Sequence, residues 1–530
     1  MTSRPWEALY PDGALAALDV EGRDLADLLA ASVREFGAAP ALTAGGSSWS
    51  FEQVGDAVQN VARLLAWAGL TDGDRVAIML PNSPEYVLGL FGTWTAGGVV
   101  VQVNPRYVRY EVDRILADSG ARFLLTTAEI ADRLGALDWP GRIFLADDLE
   151  SAVDEALGLA MVSPPGPAAA SRAGEPAVIQ YTGGTTGAPK GVTLTHTNIL
   201  ANIEQRLRLT FGTIAVPAAA KVVNVLPMSH VYGLTCVTLM AIRTGMNQIL
   251  LPKFDVRRVL ETLRDERPFA FFGVPTMYTA FLRQEDLADH GVSAVSVFNS
   301  AGAGLPASQA AEFERRTGAR IVDGFGISEA SPTTHTNPLY LERRPGSAGI
   351  PVPFTDVKIV ANADDPTPLP IGEVGELAVS GPQVMRGYWG QPELTGEVLR
   401  DGWLMTGDLA RVDEDGFVYV VGRRKDVIIA SGLNIYPAEV EHAIGTFPGV
   451  ADVAVVGIPD DYRGETVKAV IVLREGVAAT REQILDHCAT LLTGYKIPRV
   501  IEFRPALPRT PVGKIDRLQL TATDFEGSTA

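Results

Sequence analysis

Residues 181–191 read YTGGTTGAPKG, with four glycines, three threonines and one lysine between the apolar runs AVIQYT and GVTLTH. Glycines let main-chain N–H groups turn inward, threonine hydroxyls add donors, and Lys190 supplies a charge that phosphate oxygens accept. The stretch therefore predicts an anion-gripping loop between two strands. It is not a P-loop, because Gly187 is followed by Ala188 and Pro189 before Lys190 arrives. A plain turn between strands would explain the glycines but leave Lys190 and the threonines idle.

Working outward, short β-like runs alternate with helical patterns from Leu25 to about Thr127: RVAIML, PEYVLGLFGTWTAG, VVVQV, YEVDRILADSG and RFLLT. That rhythm predicts a doubly wound parallel α/β sheet. Residues 151–175 drift into Pro, Ala and Ser, a surface connection, and a second α/β unit follows through VVNVLP, NQILLP, FAFFGV, VSVFNSAGAG and ARIVDGFG. Beyond Gly349 the pattern turns to strand and hairpin, a small β-subdomain. Residues 426–530 read as a compact α+β piece in which Thr480 caps TREQILDHCATLL.

A chain of 530 residues exceeds one hydrophobic core. Its 46% hydrophobic and 20% charged residues exclude a disordered or fibrous class. The net charge of −18 makes nucleic acid an unlikely partner and means that any phosphorylated ligand needs local donors and a divalent cation. Cys236, Cys488 and six scattered histidines give neither a disulfide framework nor zinc spacing. No signal peptide or transmembrane run is read, so a cytoplasmic location is expected; peripheral membrane contact stays open, and nothing indicates an oligomeric state.

The loop has company in FGISE (325–329), TGD (406–408), GRRKDVIIASGLNIYPAEVE (422–441) and PRTPVGKIDR (508–517). In this order the motifs resemble the class I adenylate-forming superfamily of acyl-CoA synthetases, luciferases and adenylation domains, with the likeness strongest to bacterial long-chain fatty-acyl-CoA synthetases. The resemblance implies an ATP-dependent ligase that forms an acyl-adenylate from a carboxylic acid, with Mg²⁺, and passes the acyl group to coenzyme A. It also implies a large N-terminal domain (1–424) of two α/β subdomains plus a β-subdomain, a small mobile C-terminal domain (426–530), and a hinge at Lys425. Alternatives are an acyl-AMP ligase that loads a carrier protein, and a ligase for aryl or medium-chain acids.

Residue by residue, the resemblance assigns Thr182, Gly183, Gly184, Thr185, Thr186, Gly187 and Lys190 to the phosphates. Phe325, between Gly324 and Gly326, would stack on adenine, Ser328 would donate to the α-phosphate, and Glu329 would ligate Mg²⁺. Asp323 and the stretch Gly302, Ala303, Gly304 correspond to the adenine edge and acyl-tunnel wall. Asp408 and Arg423 would hold the ribose. Lys514 would be the adenylation lysine, Gly432 would line the pantetheine passage, and His230, Val231, Val274 and Gly302 would shape the acyl pocket.

Overall fold

The computed structural model describes residues 4–18, 20, 22–149, 172–182, 190–211, 214–430, 433–460, 463–510 and 514–521. In the first of its sheets Arg75–Met79 lies between Val99–Gln102 and Phe123–Thr126, with Pro176–Thr182 and Arg142–Leu145 outside them, all parallel. Such strands are covered on both faces and read as continuous apolar runs, as RVAIM does. Lys190–Thr195 then returns antiparallel to Pro176–Thr182 and puts Lys190 opposite Thr182. The glycine-rich residues 183–189 that join them lie outside the described residues.

Helix Pro84–Thr95 starts where Ser83 Oγ accepts the Tyr86 N–H, with proline in the first turn where no N–H is missed. Tyr86, Phe91 and Trp94 are all buried, so this is a helix apolar on every side, packed in the core instead of on the surface.

The second sheet carries Ile321–Gly326, Val297–Ser300, Ala270–Gly273, Lys221–Asn224 and Asn247–Leu250 in that order, all parallel, with Thr333–Thr336 antiparallel at one side. Pro40–Ala44 pairs parallel with Asn247–Leu250, so the N-terminal hairpin belongs to this sheet and not to the one its sequence neighbours build. Alternation specifies which face of a strand is buried, not which distant strand it joins; here the Thr43 and Asn247 side chains bond across the junction at 3.0–3.1 Å.

A third, antiparallel sheet spans residues 356–423 and ends in the hairpin Trp403–Val412 and Val418–Arg423. Its turn is fixed by Asp413 Oδ1, which accepts from the Asp415 and Phe417 N–H groups. The single 3₁₀ turn Arg424–Asp426 leads to a fourth sheet of five strands. Beside it runs helix Arg481–Leu491, which Thr480 caps in a reciprocal box with Gln483, as its sequence predicts.

Candidate active site

The hairpin sets the first pair of site residues. Asp408 and Arg423 are Cα partners across Trp403–Val412 and Val418–Arg423, and Arg423 Nε lies 3.0 Å from Asp408 Oδ1. Asp408 is 3% exposed, yet its Oδ2 has no hydrogen-bond partner. Burial raises the Asp408 pKa, while Arg423 and Lys514 pull it down. A buried carboxylate oxygen held at a fixed position without a donor is a ready acceptor for a hydroxyl.

Lys514 approaches from the C-terminal segment. Thr510 anchors its backbone, donating N–H to Lys514 O at 2.7 Å and accepting the Lys514 N–H on Oγ1 at 3.2 Å. The ammonium stands within electrostatic reach of Arg423, Asp408, Glu329 and Lys425. Burial of the ammonium, then Arg423, lowers its pKa, and Asp408 and Glu329 raise it. Lys425 is depressed by its own burial and by the charges of Arg423 and Lys190, against the opposing Asp426 and Asp408. Arg423, Lys425 and Lys514 thus gather around Asp408, with Lys190, Glu329 and Asp426 at the margin of the cluster.

Glu329 lies in the short turn Ser328–Ala330. Its carbonyl accepts the Met385 N–H at 2.8 Å and its Oε1 accepts the Tyr388 hydroxyl at 2.9 Å. Lys190 Nζ sits 5.5 Å from the centre of the Tyr388 ring. Among the described residues no cluster of three or more His, Cys, Asp or Glu forms a metal cage. A single tethered carboxylate beside phosphate-seeking lysines suits Mg²⁺, which takes one or two carboxylates and completes its shell with phosphates and water.

Phe325 tilts against His335 at 5.8 Å between ring centroids. Gly326 is required by packing: a Cβ there would stand 2.2 Å from the Pro332 carbonyl oxygen. Asp323 is half-buried with Oδ1 unpartnered; desolvation lifts its pKa to about 6, although Arg343 Nη1, 3.6 Å from Oδ2, opposes this. Gly302, Ala303 and Gly304 line an exposed stretch, and a Cβ on Gly302 would meet Val274 at 3.6 Å.

His230 caps the turn Val231–Gly233, its Nδ1 accepting the Tyr232 N–H at 3.2 Å. Nε2 therefore carries the hydrogen of the neutral ring. Burial holds the imidazole at about 4 and the Lys514 charge pushes it the same way, so His230 is uncharged at neutral pH and no proton acceptor at Nε2. Gly432, like Gly183, Gly184, Thr185, Thr186 and Gly187, lies outside the described residues.

Tyr388 and Glu376 escape a reading by motif. Glu376, only 1% exposed, accepts the Gly407 N–H on Oε1 and Arg424 Nη1 on Oε2, both at 3.2 Å. Gly407 adopts φ +71°, where a side chain is strained, and it delivers Asp408; Arg424 follows Arg423. One carboxylate thereby fixes the neighbours of both members of the Asp408–Arg423 pair. The available signal is an acid inside GELAVSG, a strand otherwise apolar and small. A cleft of about 130 Å³ opens here, lined by Glu329, Glu376, Tyr388, Thr406, Gly407 and Arg424 among others.

If Asp408 and Arg423 hold a ribose, Glu376→Gln raises KM for ATP roughly five- to tenfold, the scale of one charge-assisted hydrogen bond lost. KM for 2′,3′-dideoxy-ATP moves much less. Steady-state kinetics with both nucleotides check this; equal rises would make Glu376 a purely structural residue.

The profile of AMP-binding enzymes matches residues 29–389 and that of the AMP-binding enzyme C-terminal domain matches residues 439–514. The chain is 38% identical to a long-chain-fatty-acid–CoA ligase of Bacillus subtilis, over 99% of both chains. It is 40% identical to a feruloyl-CoA synthase of Amycolatopsis, over 90% of this chain and 94% of that one. Among solved structures, ATP-bound MatB from Rhodopseudomonas palustris superposes with a TM-score of 0.83 at 30% identity, covering 94% of this chain and 98% of that one.

Proposed function

The chain belongs to the AMP-binding enzyme family and is an AMP-forming acid–CoA ligase, and from that premise we propose that it activates a fatty acid with Mg²⁺-ATP through the residues described above. The observation that carries this reading is the pair of Arg423 with buried Asp408, within electrostatic reach of Lys514 and Lys425, with Asp408 Oδ2 left as a free acceptor.

In the first half-reaction an acid oxygen bonds to the α-phosphorus as the bond to pyrophosphate breaks. Arg423 and Asp408 hold the ribose, Phe325 stacks on adenine with Asp323 at its edge, and Ser328 donates to the α-phosphate. Lys190 and the glycine-rich loop grip the departing phosphates. Glu329 would hold Mg²⁺, which when bound would supply charge neutralisation at the phosphates. Lys514 bridges the attacking carboxylate and the phosphoryl oxygens. In the second half-reaction the coenzyme A sulfur bonds to the acyl carbon, its proton is lost, and the carbon–oxygen bond to AMP breaks.

The acid is placed against His230, Val231, Val274 and Gly302, where apolar and small residues suit a hydrophobic body. The names of the relatives point to the same character, since a long-chain fatty acid and ferulate are both largely apolar. We place the enzyme in the cytoplasm: Cys236 and Cys488 are both free and buried, as a reducing compartment allows, and no described helix is long and apolar enough to cross a membrane.

Pyrophosphate release and thioester formation are to be measured with ATP, Mg²⁺, coenzyme A and acids from acetate to palmitate, with cinnamates alongside. A rise in kcat/KM with apolar length is expected, at roughly tenfold for each two methylenes until the pocket is full. A flat profile, or a maximum at acetate, would remove the fatty-acid assignment.

A further inference from the structure

Helix Ala307–Thr317 and the end of helix Pro275–Leu282 present three polar groups to the C-terminal segment. Gln309 Nε2 donates to the Ala451 carbonyl at 3.0 Å, across 142 residues of sequence. Arg283 stands within electrostatic reach of Asp452, and Glu312, one turn on from Gln309, within reach of Arg474. A carbonyl only accepts, so the Gln309 amide must turn its nitrogen to Ala451. Its oxygen then lies 3.0 Å from the Thr279 hydroxyl, which holds the other end of the amide.

The C-terminal half of this contact is irregular. In strand Val450–Asp460, Val450 faces Leu473 and Asp452 faces Val472, so Ala451 is the extra residue of a β-bulge, without a partner in the ladder. A bulge gives up local pairing and re-aims a group; here the re-aimed group is the carbonyl that Gln309 takes. The next residue, Asp452, accepts Arg509 Nη2 on Oδ2 at 2.5 Å. Arg509 bridges to Ile515 through the backbone, as Thr510 does to Lys514, and Ile515 and Ala451 pack against one apolar cluster. The loop that carries Lys514 therefore stands on the same strand end that Gln309 grips.

We propose that Gln309 is a positioning residue: with Arg283 it seats the bulge at Ala451 and Asp452, and so holds Lys514 at Asp408 while the adenylate forms. The inference rests on the assignment of Lys514 to that half-reaction and deepens it. Because Gln309 acts through Lys514, its loss belongs in the rate of adenylation and not in KM for ATP.

The test follows both half-reactions with the acid that turns over fastest in the series above. Gln309→Met keeps the length and removes the donor, whereas Gln309→Glu sets a carboxylate against the Ala451 carbonyl and beside Asp452. Adenylation, read as pyrophosphate release, should fall about threefold in the first and about tenfold or more in the second, with KM for ATP unmoved. Thioester formation from supplied acyl-adenylate and coenzyme A should stay within about twofold of the unaltered rate. Adding Gln309→Glu to Lys514→Ala should cost adenylation nothing further, since residues that act as one unit are not additive. Equal slowing of both half-reactions, a further loss in the double variant, or adenylation unmoved by Gln309→Glu overturns the proposal. Thermal midpoints report folding, and if Gln309→Glu does not fold, Gln309→Met alone and with Lys514→Ala decides. Lys514→Ala adenylating at the unaltered rate would instead refute the Lys514 assignment.

Discussion

Lys514→Ala is expected to slow adenylate formation by roughly 10²–10³-fold, the equivalent of about 3–4 kcal/mol of lost transition-state stabilisation. Bringing a carboxylate oxygen within about 3.3 Å of a phosphoryl oxygen sets two negative charges against each other at about 5 kcal/mol for an effective dielectric near 20. An ammonium in contact with both offsets most of that term. Lys514 stands within electrostatic reach of Asp408 and Glu329, and its backbone is clasped by Thr510. Its effect belongs in kcat, because the bridge strengthens as charge develops on the phosphoryl oxygens. Pre-steady-state measurement of AMP and pyrophosphate checks this; a rise confined to KM for ATP would make Lys514 a ground-state binding residue.

Glu329→Gln carries the second large effect, a fall of roughly 10²-fold in kcat/KM together with a higher Mg²⁺ requirement. The amide keeps the volume and a weak oxygen ligand but removes the charge. Excess Mg²⁺ should restore part of the loss. Tyr388→Phe removes one hydrogen bond to the Glu329 carboxylate, which predicts a smaller loss of about tenfold. Magnesium titrations at fixed ATP separate these cases. A Mg²⁺ dependence that Glu329→Gln leaves unchanged would take the metal away from this residue.

The parallel α/β halves were legible because RVAIML, FAFFGV and similar runs are apolar on both faces and alternate with helices whose caps stand in the sequence. Which sheet took Pro40–Ala44 was not legible, since strand pairing across distant residues leaves no periodic trace. Motifs pointed to Asp408, Arg423, Glu329 and Lys514 as candidates but not to what supports them. Glu376 is a lone acid in an apolar strand and breaks that pattern without matching a motif. Gly326 shows the opposite difference, for its place in FGISE suggests contact with nucleotide while the Pro332 carbonyl already forbids a side chain there.

Lys514 is assigned to the first half-reaction only, so the decisive measurement supplies chemically made acyl-adenylate and coenzyme A to the Lys514→Ala enzyme and follows thioester formation. A rate within a few-fold of the unaltered enzyme, alongside an adenylation rate lowered by roughly 10²-fold or more, is the predicted result. Equal loss in both half-reactions would contradict it.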